Sequence, residues 1–120
     1  MSAAPVPGED YTLLNAEDAP ASARFAVSVT DRECAPYLLP GDTAYGAAGP
    51  VRDGEAGFFL LEGQMLLRQY HRDALGVVYL FTLNRAFSAR DEALFPGDGR
   101  RAYCCGRLLG VEDLPIPGEI

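Results

Sequence analysis

The chain has 120 residues, of which 48% are hydrophobic, and this combination suits one domain with a modest core. Its formal net charge is -7 and its basic residues are scattered along the sequence, so we expect no direct nucleic-acid binding by these residues. The apolar runs are far shorter than the roughly 20 residues that cross a bilayer. Met1 to Asp10 lacks the basic and apolar regions of a secretory signal. Together these features predict a cytoplasmic protein without membrane association.

The N-terminal residues 1–23 are rich in alanine and proline and carry acidic residues at Glu9, Asp10, Glu17 and Asp18. This composition predicts a linker with one short strand at Tyr11 to Leu14. The globular domain is expected at 24–110, followed by a C-terminal tail at 111–120.

From Phe25 onward the sequence has the pattern of a mostly β domain with little helix. Apolar alternation and turn residues predict strands at about 25–29, 43–47, 56–61, 64–70, 76–83 and 101–109. Glu62-Gly63 lies between two apolar runs and predicts a tight two-residue hairpin, because glycine supplies the positive φ that such a turn requires. One turn of helix is expected at 90–95.

The segment from Thr30 to Asp42, TDRECAPYLLPGD, interrupts this strand pattern. Its two prolines remove backbone donors, Gly41 permits a turn, and Asp42 can accept local backbone hydrogen bonds. The segment is therefore predicted to be an ordered loop between two strands.

Four further segments follow this loop. They are RDGEAGFFLL at 52–61, the strand Gln64 to Tyr70, LNRAF at 83–87 and CGRLLG at 105–110. Their order and spacing resemble the C-terminal domain of the LexA-like self-cleaving repressor peptidases, in which a loop of the form Gly-Asp-Ser-Met-x-Pro carries the nucleophile and a later strand carries a general-base lysine. The resemblance covers residues 9–110 and implies a signal-peptidase-like β-clip fold of about six or seven strands.

Two residues occupy the positions of the family's catalytic dyad. With Pro36 aligned to the family proline, Glu33 stands in place of the serine and Arg68 in place of the lysine. The family reaction needs a neutral amine as base, whereas a guanidinium keeps its proton at physiological pH. The resemblance therefore implies a peptidase fold without its reaction and without catalytic residues. Because the two side chains carry opposite charges, we also predict an ion pair between Glu33 and Arg68.

An active hydrolase is the alternative, using Cys34 as a displaced nucleophile with His71 as its base, or recruiting Glu33. A strand places His71 on the opposite face from Arg68, which argues against that dyad. The family residue at position 34 is methionine, so Cys34 is expected to be a small buried hydrophobe, and His71 a solvated hairpin residue. A further alternative is a small-ligand sensor that uses the vacated groove.

No metal or cofactor is expected. The three cysteines, Cys34, Cys104 and Cys105, lack zinc-binding spacing and predict reduced, structural thiols. The acidic residues Asp42, Asp53 and Glu55 fall in predicted turns, where capping and solvation explain them.

The strand from Ala102 to Leu109 is apolar on both faces, which is more than one covered face requires. In the resembled family the terminal region helps to form the dimer, so the candidate interface residues are Tyr103, Cys105, Arg107 and Leu109. Burial of both faces within one chain is the alternative.

These observations predict a catalytically inactive LexA-like domain that serves as a dimerisation or regulatory module of a transcriptional regulator. Its expected partner is a second copy of the chain or a repressor. Family members usually carry a helix-turn-helix domain ahead of this one, and nothing in Met1 to Ala23 has the pattern of such a domain.

Overall fold

The computed structural model describes residues 22–118 and the backbone of the strand at 11–13. The strands are β1 (Tyr11–Leu13), β2 (Ala23–Ser28), β3 (Thr43–Ala47), β4 (Ala56–Leu61), β5 (Gln64–Arg72), β6 (Val78–Phe81), β7 (Glu92–Leu94) and β8 (Ala102–Leu108). They form one antiparallel sheet in the order β1-β2-β3-β8-β4-β5-β6-β7. The predicted mostly β fold of about six or seven strands is confirmed. The strand count is slightly higher than predicted because two very short strands of three residues each, β1 and β7, lie at the ends of the sheet.

A short 3-10 helix, Arg85–Arg90, connects β6 to β7. It begins after Asn84, whose Oδ1 accepts a hydrogen bond from the backbone N–H of Ala86 at 3.0 Å and so caps the helix. The helical turn predicted at 90–95 is wrong, because this stretch contains β7, which pairs with β6. This helix is six residues long, and no helix in the described residues is long and apolar enough to cross a membrane.

The turn between β4 and β5 has the predicted two-residue form. Leu61 pairs directly with Gln64, so only Glu62 and Gly63 connect the strands. Both connecting residues have positive φ, 51° and 80°, as a tight primed turn requires. The hairpin prediction is confirmed.

Strand β4 lies between two apolar clusters and is buried on both faces. Phe58 belongs to the first cluster, where its ring packs edge to face against Phe25 with centroids 4.9 Å apart. Phe59 belongs to the second cluster, with Leu80 and Leu94. The alternation of side chains along one strand therefore joins the two halves of the core.

The segment after β8, placed in the C-terminal tail by the sequence analysis, contributes to the core in the structure. Val111 and Leu114 pack against the first cluster. The buried side chain of Gln69 holds the segment in place, since its Nε2 donates to the backbone oxygens of Gly54 at 2.9 Å and Pro115 at 3.2 Å. The first part of the predicted tail therefore packs against the domain.

Candidate functional site

The loop between β2 and β3 is closed at its base by the backbone. The N–H of Val29 donates to the carbonyl oxygen of Asp42 at 2.9 Å, and the N–H of Gly41 donates to that of Val29 at 2.8 Å. The Asp42 carboxylate accepts from the N–H of Leu39 at 2.8 Å. The ordered loop and the capping role of Asp42 are as predicted.

The part of the loop that carries Glu33 is held by a residue from a distant segment. Asn84 donates its backbone N–H to the carbonyl oxygen of Glu33 at 2.8 Å and its side-chain Nδ2 to that of Arg32, also at 2.8 Å. Within the loop, Asp31 Oδ1 accepts from the N–H of Glu33 at 3.0 Å. Asn84 therefore fixes both the helix start and the backbone that presents Glu33.

Glu33 and Arg68 form the predicted ion pair. Arg68 Nη2 donates to Glu33 Oε1 at 3.0 Å. The Arg68 side chain is only 5% exposed and the Glu33 side chain only 12%. Arg68 also donates Nη1 to the carbonyl oxygen of Leu67 at 3.1 Å, while its buried Nε has no hydrogen-bond partner among the described residues. The pair is thus a buried feature of the domain.

A second arginine, which the sequence analysis missed, completes this cluster. Arg90 Nη1 donates to the other carboxylate oxygen, Glu33 Oε2, and the Arg90 guanidinium lies 5.5 Å from the centre of the Phe87 ring. The Arg90 side chain is 61% exposed. The sequence around Arg90 carried no signal for this contact, because its partner lies in a loop 57 residues away.

A cavity of about 470 Å³ lies beside this cluster, between the β2–β3 loop and β5. Its walls combine apolar side chains, including Val29, Phe58 and Met65, with the charges of Glu33 and Arg68. In the described part of the chain, Gln64 to Arg68 pair with β4 only, and β6 joins β5 from Gln69 onward. This half of β5 therefore has one edge without a strand neighbour, and it faces the cavity.

Cys34 lines the same cavity but is 4% exposed and belongs to the first core cluster. Burial, together with the nearby Asp31 carboxylate, raises the pKa of its thiol to about 11, against a smaller lowering by Arg68. A thiol with this pKa holds almost no thiolate at neutral pH. The predicted role of Cys34 as a small buried hydrophobe is confirmed.

His71 is not the solvated hairpin residue that the sequence analysis predicted. Its Nδ1 lies 3.0 Å from Asp53 Oδ1, and its ring stacks on those of Tyr79 and Phe81 at 5.9 and 6.2 Å. It is not among the residues that line the cavity with Cys34. The stacking arises because β5 pairs with β6, which places His71 opposite Tyr79.

The two other predicted turn carboxylates are both capping groups. Glu55 Oε1 accepts from the N–H of Arg52 at 2.9 Å, and Asp53 Oδ1 accepts from the N–H of Arg72 at 2.8 Å. Among the described residues, no group of three or more histidine, cysteine, aspartate or glutamate side chains is arranged to hold a metal ion.

The candidate interface residues lie in different environments along β8 and just after it. Tyr103 is 60% exposed, whereas Cys105 is 8% exposed and packs in the first core cluster. Arg107 and Leu109 are half-buried and line a separate cavity together with the segment after β8. The neighbouring Cys104 is exposed, and all three cysteines are free thiols.

Comparison of the chain with models of protein families, with curated proteins and with solved structures gives no match.

Proposed function

We propose that this chain is a catalytically inactive LexA-like domain that acts as a dimerisation or regulatory module of a transcriptional regulator. The observation that carries the proposal is the buried pair of Glu33 and Arg68, 3.0 Å apart, at the two positions that the resemblance assigns to a serine and a lysine. Two residues separated by 35 positions in the sequence meet where a catalytic dyad would have to meet. The contact supports the alignment on which the proposal rests.

The chemistry of this cluster supports inactivity. A nucleophile needs a neighbouring base that can accept its proton, and both cations at Glu33 are guanidinium groups, which stay protonated. The Glu33 carboxylate is engaged by one of them at each oxygen, so neither oxygen is free to attack a carbonyl. The raised pKa of Cys34 likewise argues against the alternative in which this thiol is the nucleophile.

The edge of β8 supports the dimerisation part of the proposal. In the described part of the chain, β8 pairs with β4 along most of its length but with β3 only at Arg107 and Leu108. The stretch from Ala102 to Cys105 therefore has one edge without a strand neighbour, next to the exposed ring of Tyr103. A second copy can pair with this edge in antiparallel orientation about a twofold axis.

Sedimentation equilibrium over a hundredfold concentration range tests the association. We expect a reversible dimer that is weakened at least tenfold by Tyr103→Asp. Tyr37→Asp is the matched control, because Tyr37 is also an exposed tyrosine, 41% accessible, but lies in the β2–β3 loop. A strict monomer at the highest concentration, or equal weakening by both variants, would contradict the proposal.

The dyad alignment is tested by restoring the family residues. The double variant Glu33→Ser/Arg68→Lys should react with a fluorophosphonate serine probe, while the wild-type chain and Glu33→Ser alone should not. If the double variant folds, as judged by its circular dichroism, and still fails to react, the assignment of these positions loses its support.

A second candidate function, a small-ligand sensor, is favoured by the cavity beside the ion pair. Its volume of about 470 Å³ lies within the range of ligand sites. A thermal-shift screen with a small-molecule library tests this function. A specific ligand should raise the melting temperature of the wild-type chain but not of Met65→Arg, whose side chain would fill the cavity.

A further inference from the structure

A further concave surface lies beside the second core cluster. It encloses a cavity of about 820 Å³, and we call it the arginine-rimmed groove. Its floor includes the core residues Phe59, Leu80 and Leu94. Its exposed large apolar side chains are Leu75, Phe95 and Tyr103, and its basic residues are Arg72, Arg100 and Arg101.

The apolar side chains of this groove are unusually accessible. Leu75 is 82% exposed, Phe95 is 56% exposed and Tyr103 is 60% exposed. They are three of the five large hydrophobic residues that are exposed in the described part of the chain. Isolated exposed hydrophobic residues are common, but a cluster beside a concave surface is typical of a site that binds another protein.

The charges of the groove contrast with those of the whole chain. The chain carries a net charge of -7, yet three of its ten basic residues line this one surface. Among the described residues, the carboxylate of Asp98 is the only acidic group in the lining, and its two oxygens accept backbone N–H groups of Phe95 and Arg100 at 3.0 and 2.9 Å. The groove is therefore locally positive.

Two of the three arginines have their charge available. Arg100 is paired with Glu62 and Glu92. Arg72 and Arg101 are exposed, and their side chains pair with no carboxylate among the described residues. Arginine and tyrosine are also the residue types that contribute most often to binding energy at protein interfaces.

We propose that the arginine-rimmed groove binds an acidic segment of a partner protein. One large apolar side chain of the segment enters the cavity between Leu75 and Phe95, and flanking carboxylates pair with Arg72 and Arg101. A second copy of the chain is assigned to the neighbouring β8 edge, which it reaches by strand pairing, and not to the cavity itself, because a twofold interface centred on the cavity places one set of arginines against the other. The proposal stands on this surface alone and does not depend on the LexA-like resemblance.

The experiment uses a fluorescein-labelled synthetic peptide, Glu-Asp-Glu-Leu-Phe-Asp-Glu, and a matched peptide in which lysine replaces every acidic residue. Fluorescence anisotropy with the full chain should show saturable binding of the acidic peptide and none of the basic one. Raising the salt concentration from 50 to 500 mM should weaken binding at least fivefold, because the paired charges are exposed.

The variant Arg72→Glu/Arg101→Glu should weaken peptide binding at least tenfold, and Leu75→Asp should also weaken it. Arg24→Glu is the matched control, since Arg24 is an exposed strand arginine that does not line the groove. Arg101→Gln, a milder change, provides a second variant if the double variant does not fold.

Three results would overturn the proposal. The first is no binding of the acidic peptide at millimolar protein, and the second is equal binding of both peptides. The third is sedimentation showing a dimer that Leu75→Asp dissociates while peptide binding is unaffected, which would assign the groove to self-association.

Discussion

The carboxylate of Glu33 and the guanidinium of Arg68 form an ion pair from which water is largely excluded, with Nη2 3.0 Å from Oε1. A pair in this environment contributes little relative to an apolar pair of similar size, but losing one partner leaves the other charge buried and uncompensated. Removing one partner should therefore cost far more stability than replacing both partners with apolar residues.

We expect Glu33→Gln to lower the free energy of unfolding by about 3 kcal/mol. Arg68, 5% exposed, would then keep a buried charge beside neutral acceptors such as the Leu67 carbonyl oxygen, with no carboxylate to compensate it at position 33. The double variant Glu33→Gln/Arg68→Met should recover most of the loss, as measured by urea denaturation. Glu62→Gln removes an exposed pair with Arg100 and should cost less than about 1 kcal/mol. A double variant no more stable than Glu33→Gln would contradict this account.

The thiols should differ strongly in reactivity. At pH 7.5 iodoacetamide is expected to modify Cys104, which is exposed, while Cys34 and Cys105 stay protected in the folded chain. Burial raises the pKa of both protected thiols, that of Cys34 to about 11. Mass spectrometry of the digested protein gives the modified positions, and modification of all three in urea is the control. Labelling of Cys34 as fast as Cys104 would reopen the cysteine-nucleophile hypothesis.

The parts of the fold that the sequence predicted are those encoded locally. Glu62-Gly63 needs only its own two residues and the flanking apolar runs to define the hairpin, and the structure has this turn. The β2–β3 loop is likewise defined by its own prolines and glycine. The contact between Glu33 and Arg68 is long-range, and it was predicted from the order of motifs and their charges.

The parts that the sequence did not predict are contacts between distant segments. Asn84 reaches Arg32 across 52 positions, and no pattern in the sequence around either residue indicated this contact. His71 stacks on aromatic rings because β5 pairs with β6, and it contacts Asp53 because the turn before β4 lies next to β5. Neither apolar periodicity nor residue type specifies which strands become neighbours, so these partners required the tertiary structure.

Acid should destabilise the domain partly through Asp91. Burial raises the pKa of this carboxyl, but hydrogen bonds from Arg85 and the backbone N–H of Thr82 outweigh that effect and hold it below the usual value of 3.8. A carboxyl whose folded pKa is lowered contributes its full stabilisation above the unfolded pKa and loses it as the pH falls through the folded one.

The stability difference between the wild-type chain and Asp91→Asn should therefore be constant from pH 7 to about 5 and shrink below pH 4. Urea denaturation at each pH measures it. Glu112→Gln, at an exposed acidic residue after β8, is the control for the loss of one acidic side chain. A difference that stays constant down to pH 2 would exclude this role for Asp91.

Strand β2 pairs with β3 so that Phe25 lies opposite Gly46, where there is no room for a side chain. A Cβ atom at this position would lie 2.2 Å from the nearest ring carbon of Phe25, well inside van der Waals contact. Phe25 is 1% exposed and packs on Phe58, so its ring has little room to move. The absence of a side chain at Gly46 is what admits the Phe25 ring.

We expect Gly46→Ala to lower the free energy of unfolding by about 2 kcal/mol or more, the usual cost of overpacking a core. Gly46→Ala/Phe25→Leu should be more stable than the sum of its single changes predicts, because the smaller side chain makes room for the new methyl group. Thr43→Ala, at an exposed site of the same strand, is the control for strand propensity. Strict additivity in the double-mutant cycle would mean that the Phe25 ring is not what restricts this position.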